Sequence, residues 1–106
     1  MKYYCIAEIE ITNRDWIPDY VANVTKMVEA RGGRYLARTA QVEKIEGARD
    51  TPLFMLILEW PSREAALAFY ESEEYRPYRE MRQQGSESAF FLVAGEDVAQ
   101  IARISD

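Results

Sequence analysis

Seven side chains in this sequence have types suited to chemistry on a small organic molecule: Glu8, Arg38, Glu59, Trp60, Tyr70, Tyr75 and Arg82. Glu8, if its strand aims it into a buried site, is a carboxylate raised by burial into the range of a general base; if the strand ends near solvent it is an ordinary exposed acid. Arg38 and Arg82 can each grip a carboxylate or a phenolate, or pair with Glu8, Glu59 or Glu43 as a structural salt bridge. Tyr70 and Tyr75 can donate to a substrate oxygen, or fill the core with a wet hydroxyl. Trp60, at a strand end, packs in the core or walls a ligand site. A catalytic reading gives Glu8 and Tyr70 the chemistry, and Arg38, Glu59, Trp60, Tyr75 and Arg82 the binding. The chain has no His, which removes the usual metal ligand and the side chain best suited to proton transfer near neutral pH. Any acid or base is then a carboxylate, a tyrosine or the lone thiol of Cys5. No cofactor and no metal are expected.

The elements that must position these groups centre on the stretch from Leu53 to Arg82. Leu53-Phe54-Met55-Leu56-Ile57-Leu58-Glu59-Trp60 is apolar at both parities except for Glu59, so a strand here needs cover on both of its faces. Pro61 cannot donate to a ladder and ends the strand, and Ser62 can cap a helix with Glu64 in its first turn. Ala65, Ala66, Phe69 and Tyr70 make one face of that helix. Ser72 is placed to cap a second short helix, with Glu73 and Glu74 at its positive end, Pro77 tolerated near its start, and Tyr75, Tyr78 and either Met81 or Arg82 along one side.

Tyr3 to Ile11 predicts a first strand, with Cys5, Ala7, Ile9 and Ile11 on one face and Tyr4, Ile6, Glu8 and Glu10 on the other. Thr12-Asn13-Arg14-Asp15 offers N-caps, and Ile17, Tyr20, Val21, Val24, Met27 and Val28 follow at helical spacing, with Pro18 in the first turn. Gly32-Gly33 stops that helix, the first glycine suiting the left-handed position after the C-cap. Arg34 to Thr39 begins a second strand in which Arg38 shares a face with Leu36, Gln41 to Ile45 continue it past a bend, and Glu46 to Pro52 form a polar loop. Gly85 ends the last helix and Ser88 to Gly95 give a fourth strand. In the tail from Glu96 to Asp106, Val98, Ile101 and Ile104 recur at helical spacing and can dock on the same subunit or on a partner.

The order βαββαβ, with helical crossovers and one loop between the middle strands, is the ferredoxin-like α+β arrangement. One domain is expected over residues 1–106, with a core at about 3–95. The strands at 3–11 and 53–60 lie in the centre of a four-stranded antiparallel sheet, and right-handed crossovers put both helical segments on one side. The other side keeps apolar residues from at least three strands, more than a monomer exposes, so a second copy related by a two-fold axis is its simplest cover. A homodimer, sheet to sheet, is the expected assembly.

Gly32-Gly33-Arg34-Tyr35-Leu36-Ala37-Arg38, Glu43, Glu46-Gly47, Leu58-Glu59-Trp60-Pro61-Ser62 with Glu64-Ala65-Ala66, and Tyr70 with Ser72, Glu74-Tyr75 and Arg82 make a pattern that resembles family 1330 of the domains of unknown function. Through it the chain resembles the wider dimeric α+β barrel superfamily. The match covers about residues 3–94; Thr39-Ala40 and Pro52-Leu53 depart from it, standing where the family has a second glycine pair and a basic residue. The resemblance implies a small organic ligand in a cleft between sheet and helices, either on a cofactor-free enzyme of proton-transfer or monooxygenase type or on a binding protein. Glu8 or Glu59 is then expected within reach of Arg38, Arg82, Tyr70 or Tyr75, in a pocket roofed by the helix from Ser62. A non-catalytic dimerisation or sensing module is the alternative.

Thirteen Lys and Arg against eighteen Asp and Glu give a net charge of −5, which disfavours nucleic acid and anionic membranes as partners. An RNA-recognition domain shares the strand order, but Leu53 to Trp60 lacks that domain's basic and glycine positions. No run reaches the roughly 18–20 apolar residues of a membrane helix and no signal-peptide core follows Met1, so a cytoplasmic location is expected. Cys5 has no partner for a disulfide and reads as an inert buried thiol. The Asn23-Val24-Thr25 sequon is expected to be idle.

Overall fold

The computed structural model describes residues 1–104. The elements are β1 (Tyr3–Ile11), α1 (Ile17–Ala30), β2 (Arg34–Thr39), β3 (Phe54–Trp60), α2 (Arg63–Tyr70), α3 (Arg76–Gly85) and β4 (Ser86–Ala94), in a four-stranded sheet ordered β2-β3-β1-β4. Every pairing is antiparallel and β1 and β3 are central, the α+β arrangement that the alternation of apolar runs and caps predicts. The pairing of Ala7 with both Leu56 and Phe90, and of Cys5 with Leu58 and Leu92, fixes one face of the sheet. That face meets the helices. Leu58 and Trp60 join Val24 and Val28 of α1, Ala66 and Phe69 of α2, and Tyr75 in the buried core. Each of the larger side chains there, such as Val28, Leu58 or Phe69, contributes about 1.5–3 kcal/mol by its burial.

Local chemistry sets the boundaries. Ser62 accepts the Ala65 N–H through its hydroxyl at 3.1 Å and starts α2, as expected of an N-cap. Ser72 does not start α3. Its hydroxyl takes the Tyr75 N–H at 3.2 Å while donating to the Phe69 carbonyl at 2.8 Å, so it closes a turn over 72–75 and the helix opens at Arg76. Asn13 likewise binds the Asp15 N–H rather than capping α1, whose N-cap is Trp16. Gly32 has φ +90°, the left-handed geometry foreseen there.

β2 ends at Thr39, short of the extension expected through Ile45, because the Thr39 hydroxyl takes the Gln41 N–H at 2.9 Å and turns the backbone out of the ladder. β4 opens at Ser86 rather than Ser88, directly after α3, since Ser86 pairs with Ile11 at the far end of β1. From Glu96 onward the described tail is not helical. The Asp97 carboxylate instead gathers the N–H groups of Ala99, Ile101 and Ala102, and this local competition defeats the helical spacing of Val98, Ile101 and Ile104. The expected tail continues through Ser105 and Asp106, which lie outside the described residues. No helix among the described residues is long and apolar enough to cross a membrane.

Candidate functional site

Between the helix-facing side of the sheet and the three helices lies a cavity of about 550 Å³ with a mostly apolar wall, within the size range of sites for small organic ligands. The sheet supplies Cys5, Leu56 and Leu92; α1 supplies Tyr20 and Val24; Tyr70, Tyr75 and Arg82 come from the segment that follows β3. Two glycines hold the surrounding elements close. Gly33 lies against Val28 and Trp60, and Gly85 against the Trp16 indole, whose Nε1 donates to the Gly85 carbonyl at 3.1 Å.

The polar groups of the cavity converge. The hydroxyls of Tyr20 and Tyr75 are 2.6 Å apart, and Tyr75 is 1% exposed. Arg82 is 3% exposed, its guanidinium lies over the Phe90 ring at 4.1 Å, and its Nε and Nη2 are buried without an acceptor among the described residues. Burial, with Tyr75 adding to it, pushes the Tyr20 hydroxyl far above its ordinary value against the opposing charge of Arg82. Burial likewise pushes the Cys5 thiol up to about 11, again opposed by Arg82. Tyr20 and Cys5 are therefore neutral at physiological pH, and among the described residues no carboxylate pairs with the positive charge of Arg82.

Arg38 reaches the cavity through an irregularity in the sheet. A register shift between Tyr35 and Ala37 pairs Tyr35 with Leu58, Ala37 with Ile57 and Arg38 with Leu56. Tyr35 and Arg38 therefore both face the helices, and the expected sharing of a face by Arg38 and Leu36 gives way to this bulge. Arg38 stacks on the Tyr35 ring at 4.6 Å and donates to the Thr25 hydroxyl at 2.9 Å. It stands at the exposed edge of the cavity, as does Arg14.

The structure brings Arg38, Tyr70, Tyr75 and Arg82 together around one space and places Glu8 and Glu59 on the opposite face of the sheet. Glu8 pairs across the strands with Met55 and Ala89, and Glu59 with Tyr4 and Arg34, positions that alternate away from Ala7 and Leu58. Their cationic partners are local. Glu8 meets Arg49 at 2.7 Å, and Glu59 lies 3.4 Å from Lys2 and 3.8 Å from Arg34. Neither carboxylate is within the pocket that strand alternation was expected to aim it into. Trp60 is 2% exposed and stacks on Phe69 at 5.5 Å, which makes it first a packing residue. Tyr20 belongs to the cavity and was legible only as part of an apolar helix stripe. Its signal was a hydroxyl on the same face as Val24 and Val28, where an aliphatic residue needs no partner. Among the described residues no three His, Cys, Asp or Glu side chains gather as metal ligands.

The family described as a domain of unknown function, DUF1330, matches residues 2–96. No curated protein matches the chain significantly. Among solved structures, RPA0582, a protein of unknown function from Rhodopseudomonas palustris, superposes in its methylated form with a TM-score of 0.75 at 15% identity, over 93% of this chain and 84% of that chain. SnoaB, a cofactor-independent oxygenase from Streptomyces nogalater, gives a TM-score of 0.63 at 10% identity, over 93% of this chain and 97% of that chain. Rv0793 from Mycobacterium tuberculosis gives 0.54 at 18% identity, over 94% and 100%. At these identities the likeness is one of fold, an α+β arrangement with a four-stranded antiparallel sheet.

Proposed function

We propose that this chain, which belongs to the DUF1330 family, binds a small organic molecule in the cavity between its sheet and its helices, as one half of a homodimer built sheet against sheet. The cavity is the observation that carries the reading: about 550 Å³ of mostly apolar space into which Tyr20, Tyr75, Arg82 and the rim residue Arg38 bring polar groups. Tyr70 lines the same space, whereas Glu8 and Glu59 belong to the sheet face that the partner would cover. On that face Ile6, Ile57 and Phe91 form one cross-strand row. Phe91 is 53% exposed and Val93 42%, an apolar surface that a second copy would remove from water.

Thermal-shift screening of small organic molecules tests the ligand, and alkylation of Cys5, which lines the cavity, tests the place. Hits are expected to stabilise the protein and to slow that alkylation. A library without hits, or hits that leave Cys5 as reactive as before, would sink the reading. A second reading, cofactor-free catalysis of proton transfer or monooxygenation, draws on the Tyr20–Tyr75 hydroxyl pair, which can relay a proton, and on the structural likeness to SnoaB. Binding is preferred over it because burial raises both Tyr20 and Cys5, which keeps each protonated and unready to act as a base near neutral pH. Turnover assays on the hits separate the two.

A further inference from the structure

The charge of the cavity opposes the charge of the protein. The chain carries a net −5, yet among the described residues those lining the cavity include three arginines, Arg14, Arg38 and Arg82, and no Asp or Glu. None of the three forms a salt bridge among the described residues, although Arg31, Arg34, Arg49 and Arg76 all do. The arrangement is graded in depth. Arg14 and Arg38 are exposed at the edge, and Arg82 is buried with two nitrogens lacking an acceptor. An arginine keeps its proton under all ordinary conditions, and a buried charge without a partner is strongly unfavourable. Framework arginines in such positions carry a carboxylate beside them. This one has the Phe90 ring face and the Tyr20 and Tyr75 hydroxyls beside it. Of the two hydrogens on Tyr20 and Tyr75, their mutual bond uses one, so the other is free to donate. The cavity thus offers positive charge and a hydroxyl donor within an apolar wall, and no negative group among the described residues balances them.

Resting on the reading that the cavity takes a small organic molecule, we propose that its ligand is an organic anion: an apolar body bearing one oxyanion, held by Arg82 and the Tyr20–Tyr75 pair after entry past Arg14 and Arg38. The apolar body matches the aromatic and aliphatic wall, and the oxyanion supplies the missing countercharge. A net charge of −5 disfavours anions at long range, and Arg14 and Arg38 set positive charge at the edge of the cavity. Neutral ligands of the same shape leave Arg82 uncompensated and bind more weakly.

Three flat probes of nearly equal size test this by calorimetry at neutral pH: 2-naphthoate, its neutral isostere 2-naphthamide, and naphthalene. The wild type is expected to bind naphthoate about tenfold or more tightly than naphthamide, and Arg82→Met to bring the two within about twofold. Ligand-free Arg82→Met is expected to melt at or above the wild-type temperature, since an apolar side chain replaces an unpaired buried charge. The Arg14→Gln/Arg38→Gln double variant, altered only at exposed positions, is expected to lose severalfold in naphthoate affinity and little in naphthamide affinity, and it keeps the test available if Arg82→Met does not fold. Equal binding of naphthoate and naphthamide by the wild type overturns the anion preference and leaves the small-molecule reading standing. An Arg82→Met protein that melts lower yet keeps the naphthoate preference assigns Arg82 to the framework and overturns the proposal. Failure of all three probes to bind the wild type overturns the small-molecule reading, and this proposal falls with it.

Discussion

The hydroxyls of Tyr20 on α1 and Tyr75 before α3 lie 2.6 Å apart, across 55 residues of sequence, and tie the two helical segments over the sheet. The pair sits in an aromatic cluster, with the Tyr20 and Tyr75 ring centroids 6.2 Å apart and Tyr75 at 4.4 Å from Phe69. Removing one hydroxyl leaves the other buried without its partner, a cost of about 1–3 kcal/mol. Tyr20→Phe and Tyr75→Phe are each expected to lower stability by that amount. The double variant should cost less than the sum, because no orphan remains. Urea unfolding of the three proteins measures the coupling, and strict additivity would show that the two hydroxyls do not depend on each other.

Gly85→Ala should be costly although the change is one methyl group. A Cβ at Gly85 would run into the Trp16 indole, and the Gly85 carbonyl also accepts from the Thr12 and Asn13 N–H groups at 3.0 and 3.1 Å. The backbone there has little freedom to move away. Overpacking of this kind costs about 1–3 kcal/mol, read as a lower urea midpoint at constant slope. A midpoint equal to wild type would show that the indole swings aside.

The strands, the two helical crossovers and the Ser62 cap were legible because each is a local rule: period-two alternation, helical spacing, a hydroxyl before a helix. Residues whose placement depended on register were not. Arg38 is turned toward the helices by a bulge between Tyr35 and Ala37, and no residue in that run announces one. Glu8 and Glu59 were assigned to the cavity by their chemistry, yet their parity on β1 and β3 is opposite to that of Ala7 and Leu58, the residues that meet the helices. Choosing between the parities requires knowing which face the helices cover; β3 is apolar at both parities except for Glu59, and the face of β1 that carries Glu8 and Glu10 also carries Tyr4 and Ile6. Tyr20 was overlooked for the same reason in reverse: its spacing marked it as core, and a core tyrosine is silent about its hydroxyl until the partner, Tyr75, is placed by the fold.

Alkaline pH should weaken the fold through Cys5. In the unfolded chain the thiol ionises near 9, whereas burial holds it to about 11 in the folded one. Between those values the unfolded state has released a proton that the folded state still holds, so stability falls as pH rises. The loss is absent below pH 9 and reaches about 2 kcal/mol by pH 11. Cys5→Ala should postpone the decline to higher pH, where Tyr20 and Tyr35, both raised first by burial, take over. Melting temperatures from pH 7 to 11 give the comparison, and identical curves for the two proteins would remove Cys5 from the account.

Glu8→Gln and Glu59→Gln should leave ligand affinity within about twofold of wild type, since both side chains lie across the sheet from the cavity. Stability should change by no more than about 1 kcal/mol, the usual worth of partly exposed ion pairs such as Glu8 with Arg49. Titration of each variant with a hit from the thermal-shift screen measures the first expectation. A large loss of affinity in either one would mean that the ligand sits on the helix-free face.

Phe91→Asp tests that face as a subunit interface. Phe91 lies opposite Ile6 on β1 and is half exposed in the single chain, so an Asp there is solvated in a monomer but enters an apolar interface, without a partner, in a sheet-to-sheet dimer. The variant is expected to sediment as a 12.3 kDa monomer at concentrations where the wild type sediments at twice that mass. Gln83→Asp, an exposed position on α3 away from that face, is the control that should keep the dimer. Dissociation of a sheet-to-sheet dimer also lowers stability, and the melting temperature of the wild type should rise with protein concentration while that of Phe91→Asp stays flat. A wild type that sediments as a monomer throughout, or a Phe91→Asp protein that remains dimeric, would place the interface elsewhere or remove it.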